Sequence, residues 1–286
     1  MTQIDGKLWV IAQLSMKAVG LMMVSPVFWL TIWFTYRYYL KYEWDKTSAG
    51  HLALVSSLEG IGAGFLVICL TACLGLVIQP SIALYCMGPV SMLLSLWRPR
   101  FLCMSYGAGI IIAFFEIVHI PVDVIGITCL VAALHMAEGV LVLLFGGNHT
   151  VTIYRQSRKK LLAGSGIYRF WPVPVCLLIL LTGEMDAGIH MPTWWPLLLD
   201  GSSSAANLCG LLPIAVTLGY SDLSGRSQEV KRRQLKNGIL IVLYAILLLG
   251  ISLTASRWTA GRWIAVGWMV LGHEAIVLYS KLLFCS

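Results

Sequence analysis

The sequence predicts an all-α fold, a polytopic integral membrane helical bundle of about eight to nine transmembrane segments forming one domain over residues 1–286. Three observations predict it. Hydrophobic residues make up 58% of the chain and charged residues 12%, about half the roughly 25% charge of a soluble domain; the mean hydropathy of +0.82 agrees. Apolar runs follow one another from Leu8 to Phe284, with charge confined to short islands between them. The run from Leu52 to Ile78 carries a single charged residue, Glu59, and as a helix it extends about 40 Å, beyond the ~30 Å of bilayer hydrocarbon. No stretch between the runs is long enough to fold as a separate soluble domain.

Reading the apolar runs against their breakers places helices at about 8–36, 52–78, 82–97, 102–119, 122–145, 171–183, 203–220, 238–255 and 263–284. The first run contains Lys17 and Pro26, and Gln3, Lys7, Gln13 and Lys17 share one arc at helical spacing. Residues 1–50 therefore read as a kinked or partly interfacial helix followed by a basic loop, and residues 51–286 as the transmembrane bundle. A single kinked span leaves the N-terminus outside, an interfacial helix leaves it inside, and both stay open. Asp5 and Lys7 replace the basic start of a signal peptide and no small-x-small site follows, so residues 1–20 are expected to be retained.

Basic residues set the expected sidedness, because positive loops stay in the cytoplasm. The islands are Arg37, Lys41 and Lys46; Arg98 and Arg100; Arg155, Arg158, Lys159, Lys160 and Arg169; and Arg226, Lys231, Arg232, Arg233 and Lys236. The loops at 79–81, 120–122 and 183–202 lack Lys and Arg, and Glu184, Asp186 and Asp200 make the last one acidic. The alternation implies a cytoplasmic C-terminus, with Arg257 and Arg262 the exceptions. Trp29, Trp33, Tyr36, Tyr38, Tyr39, Tyr42 and Trp44 by the first island, and Trp194 and Trp195 in the acidic loop, fit interfacial aromatic belts. The basic loops are drawn to anionic headgroups at about 1 kcal/mol per residue, and the net charge of +7 permits acidic cytoplasmic partners. No nucleic-acid partner and no cofactor is expected.

Ionisable residues inside apolar runs are the main functional signal, since a charge at the bilayer centre costs about 2.5–3.5 kcal/mol even on insertion scales. The candidates are Glu59, Glu116, His135, Glu138, His273 and Glu274. His135 and Glu138, spaced i, i+3, share a helical face and suit either hydrogen bonding to a neighbouring helix or a metal. Gly272-His273-Glu274 resembles the start of a zinc-protease motif, but Val277 stands where the second histidine belongs. There is no Gly-x-Ser-x-Gly elbow and no phosphate-binding glycine loop. The eight cysteines lie in or beside apolar runs without a Cys-x-x-Cys pair and read as packing or lipid-facing residues. Asn148-His149-Thr150 matches a glycosylation sequon on a side expected to be cytoplasmic. Gly60, Gly62 and Gly64, and likewise Gly107 and Gly109, form small-residue faces for close helix approach, within the bundle or in a homo-oligomer.

Several strings also carry a family likeness. Phe101 through Gly109, Leu134-His135-Met136-Ala137-Glu138-Gly139, Arg169-Phe170-Trp171-Pro172-Val173-Pro174, Leu218 through Leu223 and Leu271-Gly272-His273-Glu274, in that order, resemble the membrane domain of MinJ-like cell-division topology proteins of Gram-positive bacteria. The resemblance implies a multi-span scaffold in the bacterial cytoplasmic membrane, followed in that family by a cytoplasmic PDZ domain. Such a scaffold links a curvature-sensing coiled-coil protein at septum and poles to the inhibitor of division-ring assembly. This chain stops twelve residues after Glu274, so no PDZ domain is expected within it. The expected function is a non-catalytic scaffold that positions cell-division or polarity proteins. Two alternatives stay open: an intramembrane metallohydrolase using His135, Glu138, His273 and Glu274, and a small-solute transporter, favoured by the interrupted run from Trp171 to Gly183.

Overall fold

Pro26 decides how the chain begins. A proline lacks the backbone N–H that a helix interior needs but not the one its first position leaves unpaired. Accordingly α1 (Gln3–Val24) stops and α2 (Pro26–Tyr39) starts, with extended Ser25 as the N-cap. The two helices meet at a bend of 67°, so the 8–36 run is a broken pair. The computed structural model describes residues 3–41, 43, 45–157, 160–180, 189–190, 208–224, 227–255 and 258–285.

α3 (Lys46–Leu74) opens on Asp45, whose carboxylate accepts the Ser48 backbone N–H at 3.0 Å and the Ser48 hydroxyl at 3.2 Å. The backbone N–H groups of Ser48 and then Thr47 hold the Asp45 carboxyl below its usual range. α4 (Ile82–Trp97), a 3-10 turn (Pro99–Leu102), α5 (Met104–Ile117) and α6 (Val124–Phe145) follow. The chain then turns to strands: β1 (Thr150–Ser157), β2 (Lys160–Leu180), β3 (Ile189–His190) and β4 (Leu208–Ser224). α7 (Ser227–Ala255) and α8 (Thr259–Cys285) complete it. The sheet order is β1-β2-β4-β3, with β1 antiparallel to β2 from Thr150↔Ile167 to Ser157↔Lys160, and β3 antiparallel to β4.

The all-α expectation is corrected by this sheet. The chain is mostly helical, and among the described residues four helices are long and apolar enough to cross a membrane, or up to five if the bent α1–α2 pair counts as one. Eight to nine such helices are not found among the described residues. The runs at 82–97 and 102–119 are helical, but at 16 and 14 residues they reach only about 24 and 21 Å. The described parts of the runs at 171–183 and 203–220, residues 171–180 and 208–220, fall on β2 and β4. Pro172 and Pro174 would each remove a hydrogen bond from a helix interior, while the alternating Val173 and Val175 favour extended backbone. Gly210, Pro213 and Gly219 weaken helix formation in the other run in the same way. Of the acidic loop at 183–202 only Ile189 and His190 are described, as β3; Trp194 and Trp195 lie outside the described residues.

The chain forms two units, the first made of Met1–Leu70, Ala137–Leu177 and Leu212–Val242. Its organising contact sets α3 against the backbone of β2. A Cβ on Gly60 would overlap the carbonyl oxygen of Pro172, and one on Gly64 the carbonyl oxygen of Pro174. On a strand, the N–H and C=O of one residue leave by the same edge, as do those two residues on. The edge of β2 facing α3 therefore presents carbonyls but, at both prolines, no N–H to be left unpaired. Gly60 and Gly64 thus serve a helix–strand contact, whereas a Cβ on Gly62 would meet nothing within 4 Å. Elsewhere in this unit Gly139 and Gly238 let α6 and α7 approach at Val242 and Leu143. The Gln234 amide donates to the carbonyls of Val142 and Leu143 near the C-terminal end of α6.

The second unit comprises Thr71–Met136, Leu178–Leu211 and Leu243–Ser286. Here the small-residue spacing works as helix packing: Gly107 of α5 sits against Met87 and Ser91 of α4, and Gly109 against Val270 of α8. Ile112, Leu130, Leu134, Leu248 and Met269 are buried in its core. The backbone N–H of Ile78 reaches the Leu178 carbonyl at 2.8 Å, tying the segment after α3 to the end of β2.

Candidate functional site

Each unit buries a polar cluster. In the first, Arg169 on β2 is 1% exposed and its guanidinium meets the Glu59 carboxylate of α3. The indole N–H of Trp171 donates to the same carboxylate at 2.6 Å, with the Arg169 guanidinium 5.4 Å from the Trp171 ring. Tyr39 of α2 places its hydroxyl 2.8 Å from that of Ser56 and accepts the Phe170 backbone N–H at 3.0 Å. A buried arginine has to be paired, and this one is paired with Glu59. Arg169, grouped by sequence with a cytoplasmic basic loop, is therefore corrected to an interior residue.

The remaining basic candidates are distributed differently from the loops expected. Lys231, Arg232 and Lys236 are exposed and Arg233 half-buried, all within the first turns of α7. Arg155 lies in β1 and Lys160 in β2, while Arg158, Lys159 and Arg226 fall outside the described residues.

The second unit holds the more reactive group. α5 starts where Cys103 acts as its N-cap in extended backbone, one residue past the 3-10 turn, and this puts the thiol beside α6 and α8. Cys103 Sγ is 3.2 Å from His135 Nε2. Together with His273 these side chains offer ligand atoms that lie within 4.8 Å of one another. The imidazoles of His135 and His273 meet edge to face with centroids 5.3 Å apart, and Tyr244 packs on both. His135 Nδ1 is 2.8 Å from the Val131 carbonyl oxygen. His273 Nδ1 is 3.2 Å from the Tyr106 hydroxyl, which donates to Glu274; the other Glu274 oxygen accepts Arg100 at 2.7 Å.

Of the six ionisable candidates, the structure brings His135 and His273 together and places Glu274 behind His273 through Tyr106. Glu59 belongs to the arginine cluster. Glu116, at the penultimate position of α5, and Glu138, one turn beyond His135, are half-buried and do not join the group of ligand atoms. The set of His135, Glu138, His273 and Glu274 is thus not assembled: Cys103 takes the third place, and both Glu274 oxygens are engaged. Cys103, Tyr106, Arg100 and Tyr244 went unrecognised in the sequence. A signal for three of them existed, since Arg100, Cys103 and Tyr106 recur every three residues across a helix start.

No protein-family model matches the chain, and neither the curated proteins nor the solved structures give a match.

Proposed function

We propose that the protein is a non-catalytic integral membrane scaffold, similar to the MinJ membrane domain, that positions cell-division or polarity proteins at the bacterial cytoplasmic membrane. The observation that supports this most is on α7. Lys231, Arg232 and Lys236 stand exposed in its first turns, interleaved with and followed by the exposed apolar residues Leu235 and Ile239. That sequence along one helix suits a cytoplasmic headgroup zone passing into hydrocarbon, and it leaves a basic face for an acidic protein.

The test replaces Lys231, Arg232 and Lys236 together with Gln in the full chain. Pull-down of cytoplasmic partners is expected to weaken, more so at low salt where exposed charges are least screened, and localisation at septum or poles to spread round the cell. Unchanged pull-down and localisation, with normal division after deletion of the gene, would overturn the proposal.

A further inference from the structure

We propose that Cys103, His135 and His273 form a binding site for one transition-metal ion, Zn2+ first, which fastens the start of α5 to α6 and α8. The function proposed above does not require it.

One donor pair already stands near the spacing of a loaded site. With metal–sulfur and metal–nitrogen bonds of about 2.3 and 2.0–2.1 Å at a tetrahedral centre, neighbouring donor atoms stand about 3.3–3.6 Å apart. Cys103 Sγ and His135 Nε2 are 3.2 Å apart, and all three donors fit within 4.8 Å. Little movement is needed to close them round an ion.

The hydrogen bonds behind the ligands carry the assignment further. The Val131 carbonyl only accepts, so at 2.8 Å it requires the proton of His135 on Nδ1 and leaves Nε2 as the lone-pair nitrogen on the Cys103 side. On the other side, Tyr106 spends its hydroxyl proton on Glu274 and can only accept from His273 Nδ1. Nε2 is again the free donor atom. Both imidazoles are therefore fixed in the tautomer that ligates through Nε2, one by a backbone carbonyl and the other by a Tyr106–Glu274–Arg100 chain. Outer partners of this kind hold metal-ligating histidines in orientation. Simple core packing gives no reason for the two rings to be anchored from behind in the same sense.

Donor chemistry selects the ion. One thiolate with two imidazoles suits borderline and soft metals and excludes Mg2+ and Ca2+, which take oxygen. Three protein ligands leave a fourth position for water or another ligand, and the Ser105 hydroxyl lies 3.3 Å from His135 Nε2. A half-buried thiol between two histidines on two other helices makes the ion a cross-link between segments far apart in sequence.

The experiment uses the full chain in detergent with a tag free of histidine, stripped with chelator and titrated with Co2+ and then Zn2+. The expected result is stoichiometric uptake, a thiolate-to-cobalt charge-transfer absorption with the intense visible bands of four-coordinate Co2+, and displacement of that spectrum by Zn2+. Cys103→Ser and His273→Gln should abolish the charge-transfer band, while Cys129→Ser, a buried thiol elsewhere in the unit, should keep it. Tyr106→Phe retains all three donors and should weaken Co2+ affinity about 10–100-fold. Absence of a thiolate band in the wild-type chain overturns the proposal without reference to any variant. A band that survives in folded Cys103→Ser also overturns it, and Cu+ uptake with Zn2+ refused would overturn the assignment of the ion.

Discussion

Glu59 and Arg169 lie 110 residues apart in sequence and share one buried ion pair. Removing one partner strands the other in the interior, which costs about 3–5 kcal/mol, whereas replacing both with apolar groups of similar size is far milder. Glu59→Leu and Arg169→Met are each expected to lower the melting temperature in detergent strongly, and the double variant less than either. A double variant as unstable as the sum of the singles would contradict that. The sequence showed Glu59 as an expensive charge but not its partner, because a sidedness rule treats every arginine as a loop residue. His135 and His273 were legible because imidazoles stand out in apolar runs. Cys103 was not, because a thiol in such a run has the composition of ordinary packing, and only its neighbours on α6 and α8 distinguish it.

The meeting of α3 with β2 depends on two missing Cβ atoms. Gly60→Ala is expected to destabilise by about 1–3 kcal/mol through overlap with the rigid Pro172 carbonyl. Gly62→Ala, which points into open space, should be neutral or gain up to about 1 kcal/mol from helix propensity. Thermal melts of the two variants beside the wild type check this, and equal effects would show that the helix–strand contact is not close-packed. The break at Pro26 and the starts of α4 and α6 were readable from local breakers. The strands were not: a buried apolar run has no period that separates strand from helix. In the sequence Pro172 and Pro174 stand as interruptions of a span, but their meaning depends on which edge of a strand faces a helix.

Large apolar side chains stand exposed on helix after helix, among them Trp33 and Phe34 of α2, Leu54 and Leu58 of α3, and Ile264 and Leu271 of α8. Water does not favour so many together, and lipid does, in keeping with the membrane residence proposed above. Sidedness has its own test in a cysteine-depleted chain: Gly201→Cys should react with an impermeant thiol reagent from outside, and Ser157→Cys only after permeabilisation. The reverse pattern would invert the proposed topology. The α3–β2 contact bears finally on how such a protein is made. Trp171 follows Glu59 by 112 residues, so at translation rates of about 5–20 residues per second α3 waits roughly 6–22 s for its strand. Through that interval its carboxylate lacks the Arg169 counter-charge and its glycine face lacks the Pro172 and Pro174 carbonyls that cover it. A chain cut short before residue 169 therefore keeps the Glu59 carboxylate of α3 without the guanidinium and the indole that meet it in the finished molecule.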